Sequence, residues 1–266
     1  MWEWLRITAE KPSLQPDILF YLGGFPITSS IVTSFVIVLL VLIAGFYLRK
    51  KVSLIPSKWQ ITVESLYEST LKLVDQITAN RKYSEKIFPL IAALFLYIGI
   101  ANLISLTPGL TAFSIDGKEL FRSPTSDFNT TFALALAMLI LVQIESIRDW
   151  GVWGYFTRFV QIPQLVNSFK QGVGAGMVGV VNFFIGLLDA VSEVAKVVSL
   201  SVRLFGNMYA GEILMIIIMA GFAYFLPAVW VGMSIFVGIV QAIVFGALVA
   251  AYYTIAMKGA EEVEKK

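Results

Sequence analysis

The sequence predicts an all-α polytopic membrane protein. It has about five membrane-embedded helices and an amphipathic surface helix, and its last two helices are long, strongly tilted and paired as a hairpin. Three observations predict this. Of 266 residues, 58% are hydrophobic and only 14% charged, with a mean hydropathy of +0.79; this is too apolar for a soluble domain and too long for a single anchor. Uncharged runs of bilayer length alternate with charged or proline-bearing stretches. Finally, from Gln171 to Leu226 the chain runs about 55 residues without a proline, which at 1.5 Å per residue is roughly 80 Å of helix.

Residues 1–28 carry Glu10, Lys11, Pro12, Pro16 and Asp17 ahead of the first apolar run. That order differs from a signal peptide, which begins basic and then turns apolar. Ser29 to Leu48 is long enough for one crossing and carries no charge; Arg49, Lys50 and Lys51 stop it. Between Val52 and Lys86 charges are interleaved with Trp59, Val63, Leu66, Leu71, Val74 and Ile77 at helical spacing, as in an amphipathic helix at the membrane surface. A second span runs from Ile87 to Leu106 and ends at Pro108-Gly109. A polar loop follows to Ser126, then a third span from Asn129 to Ile147 and a polar, aromatic connection from Arg148 to Gln171. The long proline-free segment comes next. After Pro227 a last apolar run reaches Met257, and the tail KGAEEVEKK is solvated. The organisation predicted is an external N-terminal segment (1–28), one membrane domain (29–257) and a cytoplasmic tail (258–266).

Basic residues set the orientation, because Lys and Arg accumulate on the cytoplasmic side. The 49–86 stretch holds eight of them, 108–127 two, 148–171 three, and the tail after Met257 three. The N-terminus is therefore predicted outside and the C-terminus inside. That alternation allows one crossing between Gln171 and Pro227, although the segment far exceeds a ~30 Å hydrocarbon core. A tilted or membrane-parallel helix reconciles the two.

The same segment contains charge. Arg203 cannot shed its proton, since its pKa exceeds about 12. Such a charge in hydrocarbon costs roughly 2.5–3.5 kcal/mol even on lenient scales, which points to an ion path or a charged partner. At 100° per residue, Asp189, Ser192, Lys196, Ser199, Arg203 and Asn207 fall within about 80° of one another, while Glu212 lies about 180° from Arg203. Glu193 and Lys196 also have a purely structural reading, as a local ion pair. No acidic residue lies within a turn of Arg203, so its partner belongs to another chain or is transient. In the last helix Ser234 and Gln241 share a face, and Gly238 and Ala242 keep that side narrow for close packing.

The run SLSVRLFGNMYAGE, preceded by AKVV, resembles the signature of subunit a of F-type ATP synthases. The likeness extends to NLISLTPG, to PTSDFNTTFALAL and to the glutamine of VGIVQAIVFGALVAAYY, and covers most of the chain from residue 87 onward. The resemblance implies a membrane stator subunit beside a rotating c-ring, assembled with peripheral stalk subunit b and the rest of the F1Fo complex in a lipid bilayer. It implies that Arg203 faces the c-ring, meets the ion-binding carboxylate of each passing c subunit and blocks leakage between two offset half-channels. Asn207 and Gln241 match positions near that arginine, Glu212 an external half-channel position, and Asp189 a cytoplasmic one; Asn102 and Asp127 are further candidates for the entry path. Some members carry histidine where this chain has Ser234. Here the entry path relies on Glu212, hydroxyls and water.

The absence of histidine and cysteine removes the usual metal ligands and disulfides, so any proton chemistry uses carboxylates, polar side chains or water. A net charge of +2 with basic residues confined to loops gives no nucleic-acid footprint. GAGMVG (Gly174 to Gly179) has dinucleotide-fingerprint spacing but no preceding strand, and its glycines read as helix-packing positions. Asn129-Thr-Thr is a sequon only by spelling. There is no P-loop, HExxH or nucleophile constellation, and no cofactor is predicted. ATP chemistry is thus assigned to a partner chain. A self-contained secondary transporter should show internal repeats, and none is visible; a mere anchor does not account for the polar stripe. A bacterial plasma membrane is the expected location, since the signature is generic and no transit peptide is visible, with the coupling ion, H⁺ or Na⁺, left open.

Overall fold

A computed structural model describes residues 16–53, 55–107, 114–115, 118–159, 168, 173–221 and 225–264. Six long helices dominate: α1 (Ser29–Lys51), α2 (Lys58–Thr78), α3 (Arg81–Leu106), α4 (Phe128–Phe159), α5 (Val173–Gly221) and α6 (Phe225–Glu264). Five of them, all but α2, are long and apolar enough to cross a membrane. The protein is all-α in architecture, with two small antiparallel hairpins: β1 (Ile18–Leu22) with β2 (Phe25–Thr28), and β3 (Ser114–Ile115) with β4 (Lys118–Glu119).

The helix boundaries have local causes. Thr28 caps α1 by accepting from the Ile31 amide, and Arg49, Lys50 and Lys51 fill its last turn, where cations complement the helix dipole. Ser57 caps α2 through the Gln60 amide, and Asn80 caps α3 through the Lys82 amide. Between α2 and α3 Ala79 takes a left-handed conformation (φ 54°), which turns the chain within two residues.

The structure adds detail at three places. In the N-terminal segment, residues 18–28 form the β1–β2 hairpin around Gly23-Gly24, both at positive φ as such tight turns require. The third span is where it was expected, since the apolar helix that can cross a membrane covers Phe128–Asp149; new is a second helical stretch up to Phe159, set off by the non-helical backbone of Gly151 (φ 71°, ψ 161°). The charged residues of α4 are compatible with an exposed helix face, and Arg148 pairs with Glu145 one turn back at 2.8 Å. The last apolar run reaches Met257 as expected, its span covering Leu226–Met257; its helix starts at Phe225, just ahead of Pro227, because proline is tolerated in a first turn, and it runs on to Glu264. Most of the Arg148–Gln171 connection beyond Phe159 lies outside the described residues.

The chain forms two compact units. One gathers the described residues up to Thr131 with Val202–Ala250; the other gathers Phe132–Ser201 with the described residues from Ala251 on. In the first, α2 packs against α3, and Leu71 and Val74 of α2 and Ile91, Leu94 and Ile98 of α3 are buried. Small residues bring α6 close to α3: a Cβ on Gly246 would stand 3.1 Å from Ile91 Cγ2, one on Gly238 would stand 3.1 Å from Asn102 Cβ, and one on Gly99 would meet Ala242 at 4.0 Å. The narrow face expected at Gly238 and Ala242 is thus present. In the second unit, Val142 and Ser146 of α4, Val197 and Leu200 of α5, and Tyr253 and Met257 of α6 are buried.

Candidate ion-translocation site

Helix α5 carries Arg203 and Asn207 one turn apart, and both are exposed. Between them in sequence, Leu204 is fully buried, so the arginine points away from the packed side of its helix. Among the described residues no acidic side chain pairs with Arg203. Asn207 Nδ2 donates to Gln241 Oε1 of α6 at 2.7 Å, while Gln241 is only 5% exposed and its own Nε2 has no partner among the described residues. The structure therefore joins both residues grouped with the arginine in the sequence, with Asn207 one turn along α5 from it.

Glu212 lies farther along α5 and is half-buried. Its carboxyl interacts with the Ser126 hydroxyl, with Arg122 the nearby favourable charge and Glu119 an unfavourable one. Ser126 belongs to the 3₁₀ turn Pro124–Ser126, which is buried whole. The neighbouring Trp230 indole of α6 donates to Gly211 O at 3.3 Å, and half-buried Ser234 stands one turn along α6 from that tryptophan. Ser126, Arg122 and Trp230 escaped the sequence reading. Ser126 sat inside the matched PTSDFN run without a role, and Arg122 was counted only as loop charge.

Asn102 and Asp127 are buried and engaged. Asn102 Nδ2 donates to Gly238 O at 3.1 Å, and its Oδ1 accepts from Thr125 Oγ1 at 2.9 Å. Asp127 caps α4, accepting from the Asn129 amide and the Thr130 hydroxyl, each at 3.0 Å. These bonds give both residues a positioning role: they hold the 3₁₀ turn, and with it Ser126, between α3, α4 and α6.

In the second unit Asp189 is half-buried on α5. One turn on, Glu193 takes Lys196 Nζ at 2.6 Å and Gln143 Nε2 of α4 at 2.7 Å, and the ammonium lies 5.1 Å above the Tyr252 ring of α6. The carboxylate and ammonium side chains are 12% and 14% exposed. Thus the local ion pair read from the sequence is present, and it is desolvated enough to pin three helices of this unit together. Among the described residues no group of three or more acidic, histidine or cysteine side chains is placed to hold a metal.

The chain matches the family model of the ATP synthase A chain over residues 28–254. It is 31% identical over 239 residues to the ATP synthase subunit a of Moorella thermoacetica, covering 90% of this chain and 95% of that one. A second relative, the ATP synthase subunit a 1 of Crocosphaera subtropica, is 27% identical over 243 residues, covering 90% and 92% respectively.

Proposed function

The chain belongs to the ATP synthase A chain family, and from that membership we propose that it is the ion-translocating stator subunit of a rotary F-type ATP synthase. It provides two half-channels that load and unload carboxylates on a c-ring, so that H⁺ or Na⁺ flow drives rotation. It works as one membrane domain (29–257), with 1–28 outside and the tail from 258 in the cytoplasm of a bacterial cell; c-ring, peripheral stalk subunit b and the rest of F1Fo are its partners. ATP chemistry belongs to other chains.

One observation carries this reading: a permanent cation, Arg203, is exposed on a membrane-spanning helix that buries the residue next to it. Left facing lipid, that charge would be strongly unfavourable. Facing the acid of a passing rotor subunit, it favours the ionised form of that acid, so the bound ion is released on arrival. The same positive charge repels cations that would otherwise cross directly between half-channels. The Asn207–Gln241 pair supports the backbone and amide surface beside Arg203. Glu212, with Ser126 and Arg122, lines the external half-channel together with Ser234, and Asn102 and Asp127 take part in it by positioning the turn that carries Ser126; Asp189 lines the cytoplasmic one.

Each charge crossing 100 mV releases about 2.3 kcal/mol, so a leak past the arginine would waste the gradient. Replacing Arg203 by Ala in the assembled complex is expected to reduce ATP-driven ion pumping and ATP synthesis to background while the complex still assembles. Near-normal coupled activity in that variant would overturn the proposal. Replacing Glu212 by Gln is expected to slow pumping; an unchanged rate would remove it from the half-channel.

A further inference from the structure

We propose that the β1–β2 hairpin is an interfacial lipid anchor, whose tip from Tyr21 to Phe25 sits among the headgroups and upper acyl chains of the outer leaflet and sets the depth at which α1 enters the membrane. Residues Ile18–Thr28 contain no charged side chain. Four large side chains on the hairpin are open to the surroundings: Phe20 at 52%, Tyr21 at 66%, Leu22 at 68% and Phe25 at 75%. Because side chains alternate across a strand, Tyr21 points to the face opposite Phe20 and Leu22. Both faces are therefore apolar, and neither is the polar face a hairpin needs in water.

The base of the hairpin is polar and fixed. Ser29 N donates to Asp17 O at 3.1 Å, Lys118 Nζ donates to Ile18 O at 2.8 Å, and Glu119 N donates to Asp17 Oδ2 at 3.1 Å. Polarity thus falls from base to tip. Helix α1 begins directly after β2, is uncharged until Arg49, and is exposed along most of its length, as a helix facing lipid is. The hairpin consequently stands at the level where lipid contact begins.

Two opposing demands fix the depth. The side chains favour acyl chains, but among the described residues the sheet has only two strands, and backbone groups on both outer edges have no strand beyond them. Open edges are not tolerated in hydrocarbon. Pro26 removes one donor from an edge, which eases the conflict without ending it. Both demands are met at the headgroup boundary, where tyrosine is enriched in membrane proteins.

The chain has no cysteine, so a single Tyr21→Cys or Leu22→Cys substitution gives it one thiol, which is labelled with nitrobenzoxadiazole in a complex whose other subunits have had their cysteines replaced. The labelled, ATP-synthesising complex would be placed in phosphatidylcholine vesicles carrying a nitroxide at acyl carbon 5 or carbon 12. The anchor predicts severalfold stronger quenching by the shallow nitroxide than by the deep one at both positions. Quenching by aqueous iodide alone would place the tip in water and overturn the proposal. Stronger quenching by the deep nitroxide would overturn it too. So would a photo-cross-linker at Phe25 that yields a protein adduct and no lipid adduct.

Discussion

At the residue scale, the site depends on side chains whose polar atoms are already committed. Gly238 is the tightest case: its carbonyl accepts from Asn102, and an added Cβ would stand 3.1 Å from Asn102 Cβ. Gly238→Ala is expected to destabilise the purified chain by about 1–3 kcal/mol through overpacking, read as a lower Tm. Gly232→Ala, where no atom lies within 4 Å, is expected to be neutral or slightly stabilising in the same assay. In the other unit, Glu193→Ala strands Lys196 in a largely desolvated place. The expected loss is about 1–3 kcal/mol, and Glu193→Gln should lose less because its amide still accepts from Lys196; an unchanged Tm in Glu193→Ala would argue against the ion pair. Arg203 and Glu212 were legible in the sequence because charge stands out against an apolar run. Ser126 and Trp230 were not, because a hydroxyl and an indole in such a chain look like packing until a partner is seen.

At the element scale, apolar runs announced α1, α3, the membrane-crossing part of α4, α5 and α6, whose ends are marked by charge, proline or caps. The β1–β2 hairpin stayed hidden, because ILFYLGGFPIT lacks the alternation that marks a half-buried strand and merges with the span behind it. The helical stretch between Gly151 and Phe159 stayed hidden because the sequence from Arg148 reads as a polar, aromatic connection. The α2–α3 corner makes a prediction about pH. The Ser84 hydroxyl and then the Arg81 guanidinium hold the Asp75 carboxyl below its ordinary value of 3.8, against an opposing effect of burial. A lowered carboxylate pKa stabilises the fold above the unfolded value and loses that contribution as pH falls through the folded one. Protection of the α2 amides, as the exchange rate relative to the intrinsic rate at each pH, is therefore expected to fall when pH drops below about 4, and Asp75→Asn should flatten that dependence. A wild-type profile already flat across that window would remove Asp75 from the corner's stability.

For the whole molecule, the fold class was legible from composition, and the central helix from its missing prolines. The placement of Arg203 on an exposed face was legible only as helical phase, together with the lack of an acidic residue within a turn of it. Under the proposed function, the chain reconstituted alone in liposomes is expected to pass no selective ion current, because that function needs a rotor on another chain; efficient selective transport by the isolated chain would favour a self-contained transporter. The most direct test uses Ala210, an exposed small residue seven positions from Arg203 and hence on the same face of α5. With the native chain free of cysteine, Ala210→Cys is paired with a single cysteine beside the ion-binding carboxylate of the ring subunit and oxidised in native membranes. A disulfide joining the two chains is the predicted result. Contradiction would be an Ala210→Cys thiol that reacts with soluble reagents or lipid-phase maleimides in the assembled complex, yet never cross-links to the ring.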